Sequence, residues 1–472
     1  MNRRHLMDLL VGRAVLCAPR TEKNQHWLGD GAHGVTRPTL FRCTVRKPSK
    51  LTMKTTLAAL ALAAVCLQAV AADTPATNKN SRTGPFILGA EVSWAPEDEA
   101  DGAVYYDHGV KKDIFAILKD YQFNYIRLRL FVNPASTNGY ARRRAEAFCD
   151  LEHVKALAKR ARVAGMGLLL DIHYGDTWTS PGHQDKPIAW KDLDFPGLTR
   201  AVHDFTRQAI FEMKTNGTPA NMVQIGNEVS DGMLFPDGRR SNFDNFAALV
   251  KAGIAGAREA DPAVKIVLHH HLGRSNARMR EWIDNFIRRG VDFDIIGMSC
   301  YAQAQEGDWK TNFDDLATRY PDKGLLVVEY SARKRFINDL MFNTPDRKGL
   351  GTFIWEPTRH REALFDKDGK NAGGGQASNF TTDDGINQGA RLTRTNSISA
   401  TNLPAGATTA TNVAANTNSP EFIYRSFGTN EAARAEWRKH RFGGRYDVNE
   451  LMDLYPQISH DYGNDAFAQP GN

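Results

Sequence analysis

Leu151-Glu-His-Val-Lys-Ala-Leu-Ala-Lys-Arg-Ala-Arg-Val-Ala-Gly-Met-Gly-Leu-Leu-Leu-Asp-Ile-His173 carries two periodicities in one stretch. Leu151–Ala164 reads as a helix, and Gly167–His173 as an apolar strand whose end turns polar. The same unit recurs along the chain. Further candidate strands are Ile87–Val92, Tyr125–Leu130, Met222–Asn227, Lys265–His270, Phe293–Ser299, Leu325–Glu329 and Gly351–Glu356. Between them fall helical patterns at Lys111–Tyr121, Leu198–Lys214, Asn242–Glu259, Ala277–Arg289, Phe313–Arg319 and Arg333–Phe342, with a last one at Val448–Tyr462. Strand alternating with helix points to a parallel sheet with right-handed crossovers. Apolar strands suit a sheet covered on both faces. Eight units predict an α/β protein, a (β/α)8 TIM barrel. An open doubly wound sheet is the alternative, but no Gly-rich fingerprint follows the first strand.

Chemistry in such a barrel sits at the C-terminal strand ends. Those ends are polar here: Arg127-Leu-Arg129, Asp171-Ile-His173-Tyr174-Gly-Asp176, Asn227-Glu228, His269-His270-His271, Ser299-Cys300-Tyr301, Glu329, and Trp355-Glu356. Glu228 follows Val223-Gln-Ile-Gly on the fourth strand, and Glu329 follows Leu325-Leu-Val-Val on the seventh. Strands four and seven face one another across the mouth. Two carboxyl groups flanking a bond are what glycoside cleavage requires, one to protonate the leaving oxygen and one to attack the anomeric carbon.

The segments Gly89-Ala-Glu-Val-Ser93, Asn124-Tyr-Ile-Arg-Leu-Arg129, Asp171-Ile-His-Tyr-Gly-Asp-Thr-Trp178 with Pro181-Gly, Val223-Gln-Ile-Gly-Asn-Glu228, Val327-Val-Glu329 and Trp355-Glu-Pro357 resemble glycoside hydrolase family 53. These are the endo-β-1,4-galactanases, within the clan of retaining (β/α)8 glycosidases. The resemblance covers roughly residues 86–360 and the last helix. It implies Glu228 as general acid/base and Glu329 as nucleophile. It implies Asn227 on the sugar 2-hydroxyl, Arg127 or Arg129 as the positive neighbour of Glu329, and Tyr301 as its hydrogen-bond donor. Arg127 and Arg129 alternate with Leu128, so both share one face. Trp94, Trp178, Trp190, Trp309 and Trp355 are stacking candidates for a pyranose face, Trp355 and Trp178 foremost. His173 and Asp176 are expected on sugar hydroxyls. Two positions depart from the family pattern: Tyr301 is followed by Ala302, and Glu329 by Tyr330-Ser331. The substrate expected is β-1,4-galactan. Another retaining β-glycanase, a mannanase or cellulase, and a non-catalytic carbohydrate-binding barrel are the alternatives.

The composition fits that reading. The 472 residues are 42% hydrophobic and 24% charged, ordinary for a globular chain. Residues 53–72 carry Lys54, a short Ala/Leu run and small residues at Ala69 and Ala71, the pattern of a secretory signal peptide. Met53 is then the natural start, residues 1–52 an upstream extension outside the fold, and 73–85 a linker. The whole chain has a net charge of +6, but without residues 1–72 it holds 49 basic and 51 acidic residues. The basic excess belongs to the leader and gives no sign of a nucleic-acid partner. A secreted or periplasmic monomer, off the membrane once cleaved, is expected.

The catalytic domain is expected over 86–463, with a tail at 464–472. Residues 371–420 hold one aromatic, Phe380, among Gly, Ala, Ser, Thr and Asn. They predict a disordered insertion, about 369–445, in the last βα loop. Cys149 and Cys300 are either one disulfide or two buried thiols. Asp366-Lys-Asp368-Gly hints at a calcium loop but lacks the Glu of its twelfth position. Alternation turns His270 away from His269 and His271, which speaks against a metal triad. No cofactor and no required metal are expected.

Overall fold

The computed structural model describes residues 80–467, except 145, 302–306, 360–361 and 372–429. Eight parallel strands close into a barrel: β1 (Ile87–Glu91), β2 (Tyr125–Leu130), β3 (Gly167–Ile172), β4 (Met222–Ile225), β5 (Lys265–His270), β6 (Ile295–Ser299), β7 (Gly324–Tyr330) and β8 (Gly349–Trp355). β1 pairs with both β2 and β8, which leaves no open edge. The helix after each strand is, in order, α1 (Ile114–Asp120), α2 (Leu151–Val163), α3 (Phe195–Thr215), α4 (Phe243–Ala260), α5 (Asn276–Arg288), α6 (Trp309–Arg319), α7 (Lys334–Phe342) and α8 (Leu454–Asp461). This is the expected (β/α)8 barrel.

The helices start where the sequence supplies caps. Asp113, Asp150, Asp194 and Asp308 each accept a backbone N–H from the first turn of α1, α2, α3 and α6. Two apolar layers follow from strand alternation. Ile87, Leu169, Met222, Val267, Ile295, Leu326, Val328 and Phe353 fill the barrel interior. A larger layer, including Leu170, Val223, Leu268, Leu325 and Val327, packs between strands and helices.

Three features differ from the sequence expectation. Ala103–Asp107 and Val110–Lys111 form a hairpin between β1 and α1, its turn set by left-handed His108 and Gly109. Residues 430–448, whose first part falls in the expected insertion, form a helix (Glu431–Phe442) and a strand (Gly444–Val448). That strand pairs with Ala103–Asp107 on one side and Phe365–Lys367 on the other, building a five-stranded sheet beside the barrel. The part of the insertion at 430–445 is therefore ordered, because Tyr446 and Val448 give it apolar surface to bury against Tyr105 and Phe365. Residues 372–429, the expected leader at 53–72, the expected extension at 1–52 and the end of the tail lie outside the described residues. Cys149 and Cys300 are both buried and unbridged. Among the described residues no helix is long and apolar enough to cross a membrane.

Candidate active site

Glu228 and Glu329 meet over the barrel mouth, with carboxylate oxygens and a His269 ring nitrogen all within 4.8 Å of one another. Each acid reaches that point through a local irregularity. β4 ends at Ile225, and Gly226 turns the chain at φ +83°. A Cβ there would lie 2.5 Å from Val229 Cγ1, so the turn demands glycine. Glu228 itself adopts φ +48°, a left-handed conformation that costs roughly 1–2 kcal/mol. On β7, Leu325 and Val327 pack outward and Leu326 and Val328 inward. Strict alternation would send Glu329 outward with Val327. The register instead shifts between Val327 and Tyr330, and this irregularity aims Glu329 into the mouth.

The environments of the two acids are opposite in kind. Arg127, fully buried on β2, pairs with Glu329 at 2.9 Å through Nη1. Its Nη2 donates to Asp171 at 2.8 Å and to Asn227 Oδ1 at 2.9 Å. Tyr301 donates its hydroxyl proton to Glu329 Oε2 at 3.0 Å. Burial pushes the Glu329 carboxyl above its ordinary range, while Arg127 and then Tyr301 oppose that rise. Among the described residues, no cation pairs with Glu228. Burial, and then the Glu329 charge, push it up to about 8. The pair is thus biased toward a protonated Glu228 and an ionised Glu329.

A chain of hydrogen bonds orients Glu228. Its backbone N–H donates to His269 Nδ1 at 3.2 Å, which leaves Nε2 to carry the imidazole proton. Nε2 lies 2.8 Å from Ser299 Oγ, and Ser299 donates to Glu228 Oε1 at 2.9 Å. Burial holds His269 well below its usual pKa, so it is neutral. Asn227 donates to the Thr179 carbonyl at 2.8 Å, which fixes its amide beside Arg127. Glu228, His269 and Glu329 are spaced as metal ligands could be. Their ligand atoms are already engaged by Ser299, Tyr301, Arg127 and the Glu228 backbone N–H, and the Arg127 guanidinium opposes a second cation at that point.

Several expectations take a different form. Arg129 does not reach Glu329. It turns to Glu356 Oε1 at 2.7 Å and to Glu91 at 3.4 Å. His173 is buried with both ring nitrogens engaged: Nδ1 accepts the Thr179 N–H at 3.1 Å, and Nε2 lies 3.0 Å from Asp171. Asp176 accepts the N–H groups of Asn133 and Ile188, each at 3.0 Å, and so staples two loops. Among the described residues, His173 has both ring nitrogens engaged and each Asp176 oxygen already accepts one backbone N–H, and both residues hold the loops that carry Trp178. Of the five candidate tryptophans, Trp190 and Trp309 are buried, with Phe205 and Phe336 as ring neighbours. Trp94, Trp178 and Trp355 are half-buried and mutually packed, with ring centroids 5.5–6.2 Å apart, and Tyr301 lies 6.4 Å from Trp355. Ser299, His269, Asp171, Glu91 and Glu356 were given no role from sequence. Their shared signal was position: each stands at the polar end of an apolar strand.

The sequence model of glycosyl hydrolase family 53 matches residues 87–339. The chain belongs to that family. It is 35% identical over 253 residues to a probable arabinogalactan endo-beta-1,4-galactanase A of Aspergillus terreus, covering 51% of this chain and 69% of the relative. It is 31% identical over 306 residues to an arabinogalactan endo-beta-1,4-galactanase of Thermothelomyces thermophilus, covering 57% and 88%. Among solved structures, the family 53 catalytic domain of Ignisphaera aggregans superposes with a TM-score of 0.56 at 32% identity, covering 61% of this chain and 94% of that one. This family 53 member is a glycoside hydrolase.

Proposed function

We propose that the protein is a secreted endo-β-1,4-galactanase that works by retaining double displacement. The observation that carries the mechanism is the facing pair of acids in opposite environments. Their separation, with nearest oxygens inside 4.8 Å, fits the roughly 5–5.5 Å of retaining enzymes rather than the wider gap that admits a water. In the first step a Glu329 oxygen bonds to the anomeric carbon as the glycosidic C–O bond breaks, and the Glu228 proton passes to the leaving oxygen. In the second, Glu228 takes a proton from water, whose oxygen attacks the anomeric carbon and frees Glu329. Asn227, held by Arg127 and Thr179, is poised for the 2-hydroxyl. Trp94, Trp178 and Trp355 supply a stacking surface.

The names of the relatives support β-1,4-galactan as substrate, and the leader at 53–72 supports export. Reducing-sugar release from galactan, mannan and cellulose tests the substrate, and galactan is expected to dominate. NMR of the first product tests the mechanism. A β-configured reducing end supports retention, and an α-configured one removes Glu329 as nucleophile. N-terminal sequencing of exported protein is expected to start just after Ala71 or Ala72.

A further inference from the structure

Arg129, Glu91 and Glu356 form a second buried charge cluster that the chemistry at Glu228 and Glu329 does not use. All three residues are at most 1% exposed. One nitrogen, Arg129 Nη1, faces both carboxyl groups. Glu91 Oε1 also accepts the Ser93 hydroxyl and the Ser93 N–H. Arg129 Nη1 lies 2.7 Å from Glu356 Oε1 and 3.4 Å from both Glu91 oxygens, so two buried carboxyls crowd one guanidinium nitrogen. Two buried carboxylates against one cation leave one charge uncompensated, which favours one of them as the acid. The donors gathered on Glu91 favour its ionised form and leave the proton to Glu356. The other side of Arg129 faces rings. Its guanidinium carbon lies 4.3 Å from the Trp178 centroid, 4.8 Å from Trp94 and 5.6 Å from Tyr140. Its Nε and Nη2 donate to none of the described residues, as expected for a cation laid against aromatic faces. Trp355 directly precedes Glu356, and Trp94 follows Ser93. The cluster thus underlies all three tryptophans of the cleft.

We propose that Glu91 and Glu356 hold one proton between them against Arg129, and that this cluster is the positioning device for the Trp94–Trp178–Trp355 platform. The charge balance explains the design. One guanidinium needs one negative charge, while two carboxyls give two fixed anchors, one on β1 and one at the end of β8. The shared proton lets both anchors bind without a second buried charge. Burial and the neighbouring Glu91 both push Glu356 well above the ordinary carboxylate range, with Arg129 and Arg359 opposing. The positioning role rests on the reading of the tryptophans as a sugar platform; the shared proton does not.

Infrared difference spectra of the full-length protein at pH 7 test the proton. Glu356→Gln is expected to remove one carboxylic-acid carbonyl band. Glu91→Gln is expected to remove the same band, because Glu356 then ionises to pair with Arg129. A band that survives Glu91→Gln overturns the shared proton. Galactan kinetics test the positioning. Each single variant keeps one charge for Arg129 and should leave KM within about threefold of the parent, whereas the double variant should raise KM about tenfold with a smaller change in kcat. Additive effects, or a loss confined to kcat, overturn it. A triple variant that adds Arg129→Met carries no buried charge, which guards against misfolding of the double. It should melt near the parent and keep the raised KM; parental KM in the triple overturns the role of Arg129. Inactive Glu329→Ala protein retains the band, so failure of the catalytic reading and failure of the shared proton are separable.

Discussion

Arg127 and Arg129 stand two residues apart on β2, share a face, and are equally buried. They nevertheless serve different halves of the cleft. Arg127 is surrounded by oxygen: Asp171, Asn227 and Glu329. Arg129 has carboxyls on one side and indole faces on the other. The first sets charge where a covalent bond is expected to form. The second sets shape where a sugar ring is expected to stack. A buried guanidinium is defined by what its neighbours lack, a proton in one case and a geometry in the other.

The comparison can be broken at its strongest point first. Glu329→Ala should lower turnover by at least ~10³-fold, and azide should restore it with an inverted glycosyl azide product. Unaided parental turnover would dissolve the Arg127 half as a catalytic unit. Next, Arg127→Lys should cost ~10²-fold in kcat/KM, because a single ammonium cannot hold Glu329, Asp171 and Asn227 together. Arg129→Lys should instead raise KM about tenfold and spare kcat, since the ring contact is lost and the reacting acids are untouched. If the two substitutions give the same KM and kcat pattern, the division of labour is wrong.

The smallest effect sharpens the acid/base side. Activity needs Glu228 protonated, so the rate should fall as pH rises through about 8. It also needs Glu329 ionised, so the rate should fall again on the acid side. Ser299 donates to Glu228 and favours its charged form, so Ser299→Ala should move the basic limb upward while changing peak kcat by less than ~10-fold. A basic limb that stays in place would mean that Ser299 does not act on Glu228.

Much of this was visible along the chain. The eight strands fall within two residues of their expected bounds, because an apolar run covered on both sides is a local signal. Glu228 and Glu329 stood out because acids rarely end such runs. The side sheet was missed: Ala103–Asp107 is short, and its partner Gly444–Val448 lies more than 300 residues on. The partners of His173 and Asp176 were not legible, because a polar side chain at a strand end looks the same in sequence whether it faces solvent or a loop backbone.

Composition and periodicity settled which residue types arrive at the barrel mouth. Both are carried by neighbours a few positions apart and survive without a fold. Which of those residues touch was decided by long-range contact alone. The register shift on β7, the left-handed turn at Glu228 and the choice of partners for Arg127 and Arg129 depend on how distant strands pack. No alternation of two or 3.6 residues encodes that packing.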